Sequence, residues 1–213
     1  MTSPTLFQLA PSPNTMRARL ALLWKDIEHE VFDVDPADRS TVVNASGQPL
    51  TPVLIHEGRV IYDSSAIVRY LDANWPQGPR LFRMDREAMK SIERWEMASQ
   101  TSLHEGLGIC FDQFFSPEVN EAQIQRANRA ISEAARCLED TLENSGDFLL
   151  GDGLSAADIA IAPKVSYALL DSSQENGHPI RDFFAKHHRL DGEFERTRAW
   201  VDRVMKPLVE ASS

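Results

Sequence analysis

The chain has 213 residues, 42% of them hydrophobic and 25% charged, which suits a water-soluble globular protein with room for two small domains. Asp+Glu 32 against Lys+Arg 22 leave a net charge of -10 without any basic block, which argues against nucleic acid and anionic membrane surfaces as partners. No apolar run approaches the ~20 residues that span a bilayer, and MTSPTLFQLAPSP has neither the basic region nor the apolar core of a secretory signal, so a cytoplasmic location is expected.

Thr5–Leu9 reads as a short strand, broken by Ala10-Pro11-Ser12-Pro13-Asn14, because two prolines forbid both a ladder and a helix interior. Met16, Leu20, Leu23 and Ile27 recur at helical spacing, with Ser12, Asn14 or Thr15 available as the cap. Glu30–Val34 is a second strand, and Asp35–Ala45 is polar with a short helix at most. Val53–Tyr62 reads as a hairpin turning at Glu57-Gly58, entered through Pro52. Asp63, Ser64 and Ser65 then cap a helix whose apolar residues are Ile67, Val68 and Leu71. Residues 1–76 therefore read β-α-β-(α)-β-β-α, an α/β arrangement of the thioredoxin kind, and Asn74–Pro79 reads as a linker.

Residues 77–213 read as an all-α bundle. Met89, Ile92, Trp95, Leu103, Leu107, Cys110, Phe111 and Phe114 trace one long helix, with Gly106 and Gly108 as the expected kink. Residues 118–144 form a second long helix, stopped by Ser145-Gly146. Ser155–Leu170 is apolar on all sides and so should be central and buried, and helical patterns return at Ile180–His188 and Glu193–Val209. Cys110 and Cys137 fall in helical stretches without metal-ligand spacing; free, buried thiols are expected, with a disulfide the alternative. The six histidines offer no metal pair with a nearby carboxylate, so no metal is expected.

Three places could carry chemistry. A hydroxyl at a helix N-terminus, as Ser12 would be, can donate to a thiolate while the helix dipole stabilises the charge. Its plainer reading is an ordinary cap. Thr51, before a strand-opening proline, has backbone groups that an extended peptide could pair with. Asp63-Ser64 sits at a helix N-terminus, where backbone N–H groups favour a carboxylate. Together these outline a binding edge for a small peptide-like ligand.

TPVL, the hairpin and YDSSAIVRYL resemble the glutathione-binding half of the cytosolic glutathione transferase family. Ser12-Pro13-Asn14 with the later Arg17-Ala18-Arg19-Leu20-Ala21-Leu22 resembles that family's opening signature, in its serine-type form or in a bacterial subgroup with Thr-Pro-Asn. The resemblance implies Ser12, with Asn14, as the catalytic pair. It implies glutathione as co-substrate, bound by Gln48, Thr51, Pro52, Asp63 and Ser64. Met97, Thr101, His104, Phe111 and Phe115 would face a small electrophile. It further implies a homodimer with a detoxifying role. Ser155-Ala156-Ala157-Asp158 resembles the family's capping box, a structural element whose loss in Asp158→Ala should cost about 1–3 kcal/mol. Two departures stand out. The loop Gly47–Pro52 is two residues longer than the family's, and Arg39 is the only cation near where a glycyl carboxylate would lie. Two rival readings follow: a thiol-transfer enzyme, which would want cysteine at position 12, and a binding protein that kept the fold without turnover.

Overall fold

The computed structural model describes residues 2–151, 153–174 and 177–211. Contacts divide the chain into two compact units, Met1–Phe82 with Lys206–Ser213, and Arg83–Met205. The first unit runs β1 (Thr5–Gln8), α1 (Pro13–Trp24), β2 (Glu30–Asp33), α2 (Ser40–Ser46), β3 (Val53–His56), β4 (Arg59–Tyr62) and α3 (Ser64–Asn74). The sheet order is β2-β1-β3-β4, with β1 parallel to β2 and antiparallel to β3. This is a thioredoxin-like mixed sheet.

Local chemistry explains the elements. Glu57 and Gly58 adopt φ of 49° and 74°, the pair of positive φ values that a tight two-residue hairpin requires. The turn sets Val53 opposite Tyr62 and Leu54 opposite Ile61. Gly47, at φ 77°, ends α2 in the left-handed conformation. Val42 of that helix packs with Val34 and Val53, and Phe7 and Ile55 flank them. Helix α1 is covered more broadly than one stripe: Thr15, Arg17, Ala18, Leu20, Ala21 and Leu22 are buried, while Met16 and Leu23 are only half-buried. It also ends at Trp24, short of Ile27.

The stretch read as a linker is pinned. Buried Lys25 donates from Nζ to Asp72 Oδ1 (3.0 Å) and to the Pro79 carbonyl (3.1 Å). The Leu81 and Phe82 N–H groups donate to the two Asp72 oxygens. These contacts carry the first unit past Pro76 to Phe82. Gly78 has φ 73°, and a Cβ there would stand 2.9 Å from Lys25 Cα. Gly78→Ala is therefore expected to cost about 2 kcal/mol, from strain at positive φ and a backbone clash. Urea denaturation checks it; a loss under ~0.5 kcal/mol would show the turn gives way freely.

The second unit is helical: α4 (Arg86–Gln100), α5 (Ser102–Phe114), α6 (Glu121–Ser145), α7 (Ala156–Ser166) leading into a 3₁₀ turn at Tyr167–Leu169, α8 (Pro179–His187) and α9 (Glu195–Glu210) as far as Met205, the rest of α9 counting with the first unit. The long helix expected over Met89–Phe114 breaks at Thr101 (φ -109°, ψ -96°), ahead of both glycines. There, Thr101 Oγ1 donates to the Met97 carbonyl at 2.8 Å and Ser102 Oγ to the Ala98 carbonyl. Gly106 instead packs near the Ala127 carbonyl of α6, 3.7 Å from where its Cβ would be, and stays inside α5.

Helix α7 is buried on every side from Ala156 to Val165. Its capping box is present, and fully buried Asp158 does more than cap. Asp158 Oδ2 accepts from Ser155 N (2.8 Å) and Ser155 Oγ (2.7 Å). Asp158 Oδ1 accepts from Leu149 N and from Trp200 Nε1, both at 2.9 Å. Burial pushes the Asp158 carboxyl above its ordinary range, against the pull of these hydrogen bonds. Both cysteines are free, but only Cys110 is buried; Cys137 lies on the exposed side of α6. Burial pushes the Cys110 thiol up to about 12, which leaves it inert as a nucleophile at neutral pH. Among the described residues no helix is long and apolar enough to cross a membrane, and no group of three or more His, Cys, Asp or Glu is placed to hold a metal.

Candidate active site

Sheet topology brings the predicted residues of the first unit to one place. Because β1 runs antiparallel to β3, and β3 to β4, the C-terminal end of β1, the N-terminal end of β3 and the C-terminal end of β4 share one end of the sheet. The first leads into Ser12 and α1, the second is entered through Thr51-Pro52, and the third leads into Asp63 and α3. Two helix N-termini thus open beside one strand entrance. Helices α1 and α3 also pack on each other, and Arg17 Nη1 donates to Ser65 Oγ at 2.7 Å, tying the two N-terminal turns together. That link spans 48 residues of sequence and was not legible as a motif.

Ser12 is the N-cap of α1, with extended backbone (φ -144°, ψ 125°). Its Oγ accepts the Thr15 N–H at 3.4 Å, a long bond that leaves the hydroxyl proton free to donate elsewhere. Capping and donation are thus compatible, and the plain reading of Ser12 does not exclude the functional one. The first turn of α1 carries no acidic residue, so nothing on the helix offsets its positive end. Asn14, two residues on, is exposed, and its amide makes no hydrogen bond among the described residues.

The Thr51–Pro52 and Ala10–Pro11 peptides are both cis. The β1–β3 ladder starts at Val53, so Thr51 lies outside it, and its backbone groups make no hydrogen bond among the described residues. Gln48 is spent on its own loop. Its Nε2 donates to Ser46 Oγ and to the Leu50 carbonyl, both at 3.0 Å, and its Oε1 accepts from Leu50 N at 2.6 Å. The two extra residues thus form a self-braced turn with the glutamine at its centre, and Leu50 stands out 72% exposed.

Asp63 takes the left-handed region at φ 72°, a conformation uncommon outside glycine and one that often marks a functional turn. Its Oδ1 accepts from Ser65 N (2.6 Å) and Ala66 N (3.4 Å), which leaves Oδ2 without a partner among the described residues. Ser64 is buried, and its hydroxyl likewise makes no hydrogen bond there. The turn therefore presents one open carboxylate oxygen, one open hydroxyl and a helix N-terminus. A ligand bearing both an ammonium and a carboxylate suits that set.

The residues expected to face an electrophile lie in the second unit. Met97, Thr101 and His104 are exposed on α4, at the break and on α5, and Phe115 is exposed just past α5. Phe111 joins an aromatic cluster, its ring 4.9 Å from Phe184 and 6.2 Å from Tyr167. The second unit also holds a concavity of about 940 Å³ between α4 and α6, lined by Trp95, Leu103, Ala134, Leu138 and Leu149 among others. None of Met97, Thr101, His104 or Phe111 lines it.

Comparison with known proteins adds the family. A model described as "Glutathione S-transferase, N-terminal domain" matches residues 6–79, and one described as "Glutathione S-transferase, C-terminal domain" matches residues 121–203. A maize protein named "Glutathione transferase GST 23" is 30% identical over 156 residues, covering 70% of this chain. The match spans 65% of the maize protein, a little under two thirds of its length. A Drosophila melanogaster protein named "Probable maleylacetoacetate isomerase 1" is 30% identical over 188 residues, covering 78% of this chain and 70% of the fly protein. Among solved structures, poplar glutathione transferase F1 superposes with a TM-score of 0.75 at 19% identity, over 100% of this chain and 99% of that one, a likeness of fold.

Proposed function

The chain belongs to the cytosolic glutathione S-transferase family, and from that premise we propose that it binds glutathione at the first unit's sheet end and activates its thiolate for attack on a small electrophile. The observation that carries the reading is the convergence of Ser12, unpaired Thr51 and the open Asp63-Ser64 turn beside two helix N-termini. Thr51 N–H and C=O pair with the cysteinyl backbone of glutathione. Asp63 Oδ2 accepts from the γ-glutamyl ammonium, and Ser64 with the α3 N-terminus holds the γ-glutamyl carboxylate. Pro52 shapes the entrance, and Gln48 acts by bracing the loop that ends in Thr51. Ser12 donates its O–H to the sulfur, with the Asn14 amide as a second donor. The protein is read as a cytoplasmic homodimer with a detoxifying role; sedimentation tests the assembly.

Magnitudes support a site without a general base. A free thiol titrates near ~8.5, and lowering that by two units takes about 2.7 kcal/mol. A charge-assisted hydrogen bond supplies roughly 1.5–3 kcal/mol and the uncompensated end of α1 up to ~2 kcal/mol. The two together suffice.

Calorimetric titration with glutathione, paired with thiolate absorbance against pH, tests the proposal. Saturable binding with a lowered thiol pKa is expected. Ser12→Ala should return that pKa upward by about 1–2 units and cut conjugation of a generic aromatic halide roughly 10- to 100-fold. Binding without any pKa shift would favour the rival reading, a binding protein without turnover. No binding at millimolar glutathione would refute the site.

A further inference from the structure

A second site lies in the helical unit and stands apart from the glutathione reading. The side of α6 bearing Arg129, Ser132 and Arg136 faces the segment holding Arg189 and Asp191 across a polar concavity of about 500 Å³, within the size range of small-molecule sites. Arg129 and Arg136 are two helical turns apart and so share a face, with Ser132 between them.

The opposite wall is built, not loose. Asn128 Nδ2 donates to the His187 carbonyl at 3.0 Å. Asn128 Oδ1 accepts from Arg189 N at 3.2 Å and from His188 Nδ1 at 2.9 Å. The backbone of Arg189 is therefore fixed opposite the two α6 arginines by an amide clamp, with buried His188 seated edge-on against Phe184.

Charge marks this concavity out. Several other arginines of the same unit are ion-paired: Arg126 with Glu105, Arg196 with Glu139 and Glu143, Arg203 with Asp147. Arg129 and Arg136 make neither ion pair nor hydrogen bond among the described residues, and Arg189 reaches only Asp191, at 3.9 Å. Three guanidinium groups against two carboxylates give this pocket a positive balance in a chain with net charge -10. The guanidinium fork matches phosphate oxygens. Glu133 and Asp191 also line the concavity, where they would repel a polyanion and accept hydroxyl donors. No aromatic ring lines it, so a nucleobase finds no stacking face.

We propose that this concavity binds the phosphate monoester of a small polyol, its phosphoryl group held by Arg129, Arg136 and Arg189 and its hydroxyls by Glu133 and Asp191.

Calorimetric titration of the full chain with ribose 5-phosphate at low ionic strength tests it. Saturable binding is expected, competed by inorganic phosphate, which should itself bind more weakly because it cannot use the carboxylates. Arg129→Ala/Arg136→Ala should weaken the sugar phosphate at least ~10-fold, the loss of two charge-assisted contacts. Arg126→Ala, on the same helix but outside the concavity, should leave it unchanged. All three arginines are exposed, so these variants should fold, which circular dichroism checks. Absence of saturable binding, equal affinity in the double variant, equal loss in Arg126→Ala, or inorganic phosphate binding as tightly as the ester would each overturn the proposal.

Discussion

Replacing Asp158 by alanine is expected to lower the unfolding free energy by about 3–5 kcal/mol, above the ~1–3 kcal/mol that a capping residue alone would cost. The carboxylate is fully buried and receives four hydrogen bonds, from Leu149 N, Ser155 N, Ser155 Oγ and Trp200 Nε1. Alanine leaves three buried N–H donors without an acceptor and opens a void, and each stranded donor costs about 1–3 kcal/mol before relaxation. Asp158→Asn should be milder, since it keeps the volume and one acceptor but turns an NH₂ group toward Ser155. Trp200→Phe should cost less than the alanine variant, about 1–3 kcal/mol, because its partner keeps three other donors while the smaller ring leaves a void at a fully buried position. Urea denaturation of the three variants should find the alanine variant least stable. An alanine variant no worse than Trp200→Phe would show that the network carries little.

Stability should also fall in mild acid because of one histidine. His188 is 2% exposed, and burial pushes its pKa from 6.5 down to about 4. The folded pKa is below the unfolded one, so between these values the unfolded chain binds the extra proton and stability rises with pH. The contribution is complete above about pH 6.5 and is lost as pH falls toward 4. From pH 7 to 4.5 the loss from this group is about 2.5 kcal/mol. His188→Asn keeps a donor near Nδ1 for Asn128 Oδ1 but cannot take a proton. The difference in unfolding free energy between pH 7 and 4.5 should therefore be smaller in that variant by about 2.5 kcal/mol, even though carboxylates titrate in both. Parallel pH profiles for the two proteins would remove His188 from the account.

Much of the first unit was legible because its signals are local. Two prolines ended β1, Glu57-Gly58 made the hairpin, and Asp63 capped α3, each by backbone chemistry within a few residues. Binary periodicity likewise located α6 and the buried α7. The errors share a cause. Propensity points to a kink at Gly106 and Gly108, while the break comes at Thr101, where the backbone leaves helical φ/ψ. A helical setting alone suggests a buried Cys137, but the residue is exposed on α6. The Asn74–Pro79 stretch looked like a linker by composition and became an ordered turn because Lys25 and Asp72, 47 residues apart, meet there.

The candidate site divides in the same way. Local sequence specifies the kinds of group present: a hydroxyl at one helix start, an acidic-Ser cap at another, a proline-led strand between them, and the order that assigns the chain to its family. These are properties of short segments, set by φ/ψ preferences and capping. Which of those groups are free to act follows from packing. Gln48 is occupied by its own loop, while Thr51, Asn14 and Asp63 Oδ2 have no partner among the described residues. Packing also joins Arg17 to Ser65, Trp200 to Asp158 and Asn128 to the Arg189 backbone. Those links connect residues dozens of positions apart, and a hydrogen bond between distant residues depends on how the elements pack, which no local pattern encodes.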